Sequence, residues 1–145
     1  MLGLLCVVLA GALVAALVAE ARWLFHLPPL RPAPPPGPGR VPRISIIIPA
    51  RNEELAIARS VTAAASQAYP DFEVIVVDDG STDGSQDYLR ERYGDDARVT
   101  LLCGENGGQL VAFQRGVAAS DADVLCFLDA DDRWAPTWLE AMVQR

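Results

Sequence analysis

Val124-Leu125-Cys126-Phe127-Leu128 runs directly into Asp129-Ala130-Asp131-Asp132, an apolar segment of strand length that stops at three carboxylates within four residues. Carboxylates this crowded repel one another, so they are protonated, solvated or bridged by a cation. The spacing Asp129-x-Asp131, on a turn leaving a buried strand, can aim two hard oxygen ligands at one divalent metal. Mg2+ or Mn2+ held by one or two carboxylates completes its shell with water and substrate phosphates. The plainer alternative is a solvated acidic turn that caps the next helix. Asp-x-Asp is too common a pattern to decide between the two.

Upstream, the pattern alternates strand and helix from Arg43 onward. Ile44 to Ile48 is a β-branched run closed by Pro49. Asn52 then fits a helix N-cap, Glu53 and Glu54 suit a first turn, and Leu55, Ala58, Val61, Ala65 and Ala68 recur at helical spacing. Tyr69-Pro70-Asp71 breaks that helix, and Phe72 to Val77 is a second buried strand ending at Asp78-Asp79-Gly80-Ser81. A short helix over Gly84 to Tyr93, a strand over Val99 to Cys103, a glycine-rich turn over Gly104 to Gly108 and a helix over Gln109 to Ala119 follow. After the strand Val124 to Leu128, Pro136 fits the first position of a last helix reaching Val143, with Trp138, Leu139 and Met142 as its apolar face.

Strands this apolar, separated by helices, predict a parallel sheet covered on both faces. Right-handed crossovers place all strand C-termini along one edge. That edge collects residues 51–54, Asp78 and Asp79, Asn106, and Asp129 to Asp132. Ligands of open α/β sheets bind there. Each acidic turn taken singly is as well explained by capping. Three on one edge point to a ligand.

The N-terminal part has a different character. Leu2 to Ala19 is uninterrupted apolar or small residues, and eighteen residues of helix span about 27 Å, close to the hydrocarbon core of a bilayer. Ala19-Glu20-Ala21 resembles a signal-peptide cleavage site, but no positive residue precedes the run. Arg22, Arg31, Arg40 and Arg43 all follow it, which by the positive-inside rule predicts an uncleaved single-pass anchor with the C-terminal side in the cytoplasm. The expected organisation is an anchor over residues 1–27, a proline-rich linker over 28–42 and a globular part over 43–145. Eight of the eleven prolines lie in that linker, an extended spacer in place of a core-forming segment.

Charge narrows the partners. The chain has 12 Arg, no Lys and a net charge of −7, and residues 41–145 alone carry −9. An acidic domain of this kind excludes a nucleic-acid surface. A phosphate-bearing ligand needs a metal or local arginines to approach it. The three cysteines form no framework. Cys6 lies in the membrane run, and Cys103 and Cys126, in strand-like runs, are expected to be reduced core thiols.

Over Ile44 to Arg145 the sequence resembles the family 2 glycosyltransferases of the GT-A fold. The residues that carry the resemblance are Ile46-Ile47-Ile48-Pro49-Ala50-Arg51-Asn52-Glu53-Glu54 and Val76-Val77-Asp78-Asp79-Gly80-Ser81-Thr82-Asp83. They continue with Asn106-Gly107-Gly108, Ala112 and Gly116 in the pattern N-x-G-x-x-x-A-x-N-x-G, and then Phe127 to Asp132. Gln114 stands where the pattern has Asn. The resemblance implies a mostly parallel Rossmann-like α/β sheet. It also implies that Pro49, Arg51, Glu53 and Asp79 hold the base and ribose of a nucleotide-sugar. Asp129 and Asp131 would then serve the ribose and the Mg2+ or Mn2+ that bridges the diphosphate. A carboxylate facing uracil accepts its imide N–H, which favours a uridine nucleotide. The expected function is a membrane-anchored transferase moving a sugar from a nucleotide-diphosphate donor to an unknown acceptor, in envelope or polysaccharide synthesis. Family members continue beyond the D-x-D turn with acceptor-binding elements and a general base, so the 145 residues are expected to bind donor and to lack transfer activity.

Other classes fare worse. A receiver-type signalling domain needs a Lys at the active edge, and a dehalogenase-like phosphatase wants D-x-D-x-T after its first strand. P-loop and dinucleotide folds lack their glycine fingerprints here. The remaining alternative is a non-catalytic, membrane-tethered nucleotide-binding or scaffold module.

Overall fold

In the computed structural model the described residues are 39–143. The anchor expected over residues 1–27, and the linker up to residue 38, lie outside them. Among the described residues no helix is long and apolar enough to cross a membrane. Those residues form strands β1 (Ile44–Ala50), β2 (Phe72–Asp79), β3 (Val99–Gly104) and β4 (Val124–Phe127). Helices α1 (Ile57–Ala65), α2 (Ser85–Tyr93), α3 (Gln109–Ala119) and α4 (Trp138–Val143) lie between and after them.

The sheet is fully parallel, in the order β3-β2-β1-β4. Ile44 faces Phe72 on one side and Val124 on the other, so β1 is central. Side chains alternate across a strand, and the two faces of β1 bury different partners. Ile44, Ile46 and Ile48 join Val74 and Val76 against Ile57, Val61 and Ala64 of α1, Leu89 of α2 and Leu139 of α4. Ile47, with Ile75 and Val77, packs against Ala112, Phe113 and Val117 of α3. Both faces are covered, as the apolar strands require. Gly116 permits the close approach of α3: a Cβ there would lie 2.4 Å from Ile47 Cγ2.

The strand starts are held by a polar clasp. Arg43 pairs with Glu73 at 3.0 Å and gives its backbone N–H to Asp123 at 2.9 Å. Ser45, fully buried, bonds Glu73 Oε1 at 2.5 Å and Ser120 Oγ at 2.6 Å. At the far end of α1, buried Gln67 donates to Ala135 and accepts from Leu139 N, tying the last helix to the first.

Several local expectations are corrected. Asn52 is not an N-cap: it sits in a turn, and the helix begins at Ile57 after a bend in which Ala56 and Ile57 donate to the Glu53 carbonyl. Leu55 is therefore 89% exposed, and Ala68 falls beyond the helix. Met142 faces solvent while Leu139 alone on α4 is fully buried. Cys103 and Cys126 are free thiols, the first exposed and the second half-buried, because β3 and β4 are the outer strands among the described residues. Burial pushes the Cys126 thiol up from its ordinary pKa.

Candidate active site

The chain builds β1, β2 and β3 outward in one direction and then returns to place β4 on the other side of β1. The reversal opens a crevice at the C-terminal ends of β1 and β4, where the two following loops run apart. The cleft found there has a volume of about 390 Å3 and is bordered by all four strand ends or the loops that leave them. Pro49, Arg51, Glu53, Asp79, Asp129 and Asp131 all line it. The six residues singled out from sequence are thus brought together in one cavity.

Pro49 fits the strand register. Leu128 N donates to Ile47 O on the β4 side, and Pro49, two residues on, faces the same side. β4 pairs only as far as Ile47, so the N–H that proline lacks is not needed there. Beyond it, Arg51 is exposed and Glu53 half-buried. Between them Asn52 adopts φ 55°, a left-handed conformation that Asn tolerates better than most residues. Its side chain accepts from Thr82 N at 2.8 Å and its own N–H reaches Ser81 Oγ at 2.9 Å. Glu53 N donates to Ser85 Oγ and Glu54 N to Asp83 Oδ2, each at 3.1 Å. The loop after β1 is thereby laced to the loop after β2. Asp83 is held below the usual carboxylate range, first by the Ser85 side chain and then by backbone N–H groups of Ser85 and Glu54.

The two acids that end β2 differ. Asp78 is fully buried; its Oδ1 accepts from Ser81 N at 3.0 Å and Gln86 Nε2 at 2.6 Å, and its Oδ2 has no partner. It shapes the turn and does not line the cleft. Asp79, 3% exposed, does. Its two oxygens accept from Gly107 N at 2.8 Å and Gly108 N at 2.7 Å, and Arg115 lies 3.4 Å from Oδ1. The loops pack this closely because Gly80 has φ 76° and no side chain: a Cβ would lie 2.8 Å from Asn106 N.

Asp129 and Asp131 are exposed on the turn after β4, where Asp132 N closes onto the Asp129 carbonyl at 3.1 Å. Gln109 Nε2 donates to Asp129 Oδ1 at 3.2 Å. Neither acid has an ion-pair partner among the described residues, and no group of three metal-ligating side chains occurs among them. Two carboxylates without ion-pair partners on one cleft wall, one of them held by Gln109, fit a Mg2+ or Mn2+ ion that draws its other ligands from water and a bound phosphate. They do not fit a closed, all-protein metal cage. Sequence reading missed Gln109 as a cleft residue. Its position just after the Gly107-Gly108 turn, at the first turn of a helix leaving the same edge, was the available signal.

Residues 45–145 match the model of the family described as Glycosyl transferase family 2. The chain belongs to that family. Among its relatives, an uncharacterized glycosyltransferase of Nostoc is 38% identical over 70% of this chain and 32% of its own length. The putative teichuronic acid biosynthesis glycosyltransferase TuaG of Bacillus subtilis is 34% identical over 71% of this chain and 41% of its own. TarS of S. aureus, solved with UDP-GlcNAc, superposes with a TM-score of 0.65 at 27% identity, covering 70% of this chain and 30% of that one. The mannosyltransferase PcManGT of Pyrobaculum calidifontis, solved with GDP-Man and Mn2+, gives 0.59 at 27% identity, covering 86% and 36%. The chain therefore spans about a third of the length of these relatives. The parallel α/β sheet agrees with their fold.

Proposed function

We propose that the cleft is the donor site of a glycosyltransferase: it takes a nucleoside diphosphate sugar, with a uridine nucleotide favoured, for transfer of the sugar to an acceptor in polysaccharide or envelope synthesis. The observation that carries the reading is the convergence of Pro49, Arg51, Glu53, Asp79, Asp129 and Asp131 on one cavity at the sheet's switch point. In this reading Pro49, Arg51 and Glu53 border the base and ribose, and Asp79 offers a carboxylate oxygen to a base N–H. Asp129 and Asp131 would hold Mg2+ or Mn2+, which when bound neutralises charge on the departing nucleoside diphosphate. Solved relatives hold UDP-GlcNAc in one case and GDP-Man with Mn2+ in another, which supports a nucleotide-sugar donor and a divalent ion.

Calorimetric titration of the full chain with UDP, with and without Mn2+, tests this. Saturable binding that strengthens with the metal is expected. Absence of saturable binding would sink the donor-site reading and leave a tethered scaffold module. The apolar run Leu2 to Ala19, with arginines only after it, supports a single-pass membrane anchor and a cytoplasmic domain. Protease added to inverted vesicles should then cut at Arg40, and protection of that site would reverse the orientation.

A further inference from the structure

Arg115 belongs to no motif read from the sequence and does not line the cleft, yet its guanidinium reaches the best-buried acid in it. From α3 its Nη1 lies 3.4 Å from Asp79 Oδ1 and donates to the Glu105 carbonyl at 3.0 Å. The side chain crosses Gly104, where a Cβ would lie 2.5 Å from Nη1 and 2.9 Å from Cζ. Only glycine at the end of β3 leaves that path open.

The load on the two oxygens of Asp79 is unequal. Oδ1 accepts from Gly107 N and faces Arg115, whereas Oδ2 accepts from Gly108 N alone. Each carboxylate oxygen has about two acceptor sites. Oδ1 is filled and Oδ2 keeps one free. Two backbone N–H groups and a guanidinium together fix the plane of the carboxylate, since rotation about the side chain would break all three contacts.

We propose that Arg115 is a positioning residue for base recognition: by occupying Oδ1 and anchoring the 104–108 turn, it presents Oδ2 of Asp79 to a ring N–H of the nucleotide base. The inference rests on the donor-site reading above and adds the residue that orients its base-binding acid. It selects bases that carry a donor, such as the imide of uracil, over cytosine, whose corresponding ring nitrogen only accepts. Arg115 acts through Asp79 and touches no part of the donor itself.

The test is a double-mutant cycle on the full chain, read by calorimetry in Mn2+ with UDP and with inorganic pyrophosphate. Arg115→Ala should weaken UDP binding roughly three- to tenfold, the scale of one partly exposed charged hydrogen bond. Pyrophosphate, which has no base, should change by less than about twofold. In an Asp79→Asn background the same substitution should add less than about twofold. Arg115→Met, which keeps the apolar stem, gives the same reading should the alanine variant lose its loop structure. Equal losses for UDP and pyrophosphate would mean a general structural role and overturn the proposal. Unchanged UDP affinity in Arg115→Ala, with loss in Asp79→Asn, would overturn it while the donor-site reading stands. An unsubstituted chain that binds no UDP would overturn both.

Discussion

The buried hydroxyl of Ser60 donates to the main-chain carbonyl of Asp129 at 3.3 Å, so α1 helps to hold the backbone of the acidic turn from beneath. The same carbonyl also accepts from Asp132 N. Ser60→Ala removes one of the two donors and should cost about 0.5–1.5 kcal/mol, read by urea unfolding. Affinity for Mn2+·UDP should fall by a few-fold as the turn loosens. An unchanged affinity would show that the Asp132 contact suffices.

Asn52 joins two loops through its side chain while holding φ 55°. Asn52→Ala should cost about 1–3 kcal/mol, combining left-handed strain with lost hydrogen bonds. Asn52→Gly relieves the strain and loses only the bonds, so it should be the milder change. If alanine and glycine prove equal in denaturant unfolding, the backbone conformation contributes nothing.

Asp131→Asn keeps shape and removes the charge that would serve the proposed metal. The fold should survive, since Asp131 lies outside the apolar core. Binding of Mn2+·UDP should weaken by about tenfold or more, while metal-free UDP binding changes little. Equal Mn2+·UDP binding in the variant and the parent would remove Asp131 from the metal site.

The lacing of the first two loops carries a pH dependence. Asp83 has a folded-state pKa below its ordinary value, so its contribution is complete above about pH 4 and is lost as pH falls through the depressed folded value. Hydrogen exchange at the Glu54 amide, which Asp83 holds, should accelerate in that acid window relative to core amides. Asp83→Asn should flatten that response, and an unaltered profile would place the titration elsewhere.

The strand ends were legible in the sequence because a buried parallel strand is a near-continuous apolar run, and the residue that breaks it is conspicuous. Pro49, Asp79 and Asp129 were found this way. Asn52 was misread because asparagine suits both an N-cap and a left-handed turn. Ser81 and Thr82, which decide between them, are distant in sequence. The exposure of Cys103 and Phe127 follows from sheet order, which local patterning does not encode. Phe127 stays 49% exposed even though its ring meets Phe113 edge-on at 4.9 Å. Gln109 and Arg115 were missed because each acts across a loop on an acid far away in the chain.

The sheet order has a kinetic side. β1 is made first, yet its two neighbours are β2 and β4, and its pairing with β4 joins Ile44 to Val124 across three intervening crossovers. Long-range parallel pairings of this sort close only after much chain entropy has been surrendered, and they slow folding. Until β4 docks, Ile47 lacks a neighbour on one side and the walls of the switch-point crevice do not yet face each other. Recovery of the proposed nucleotide binding during refolding should therefore track the docking of β4 and lag behind the helical signal.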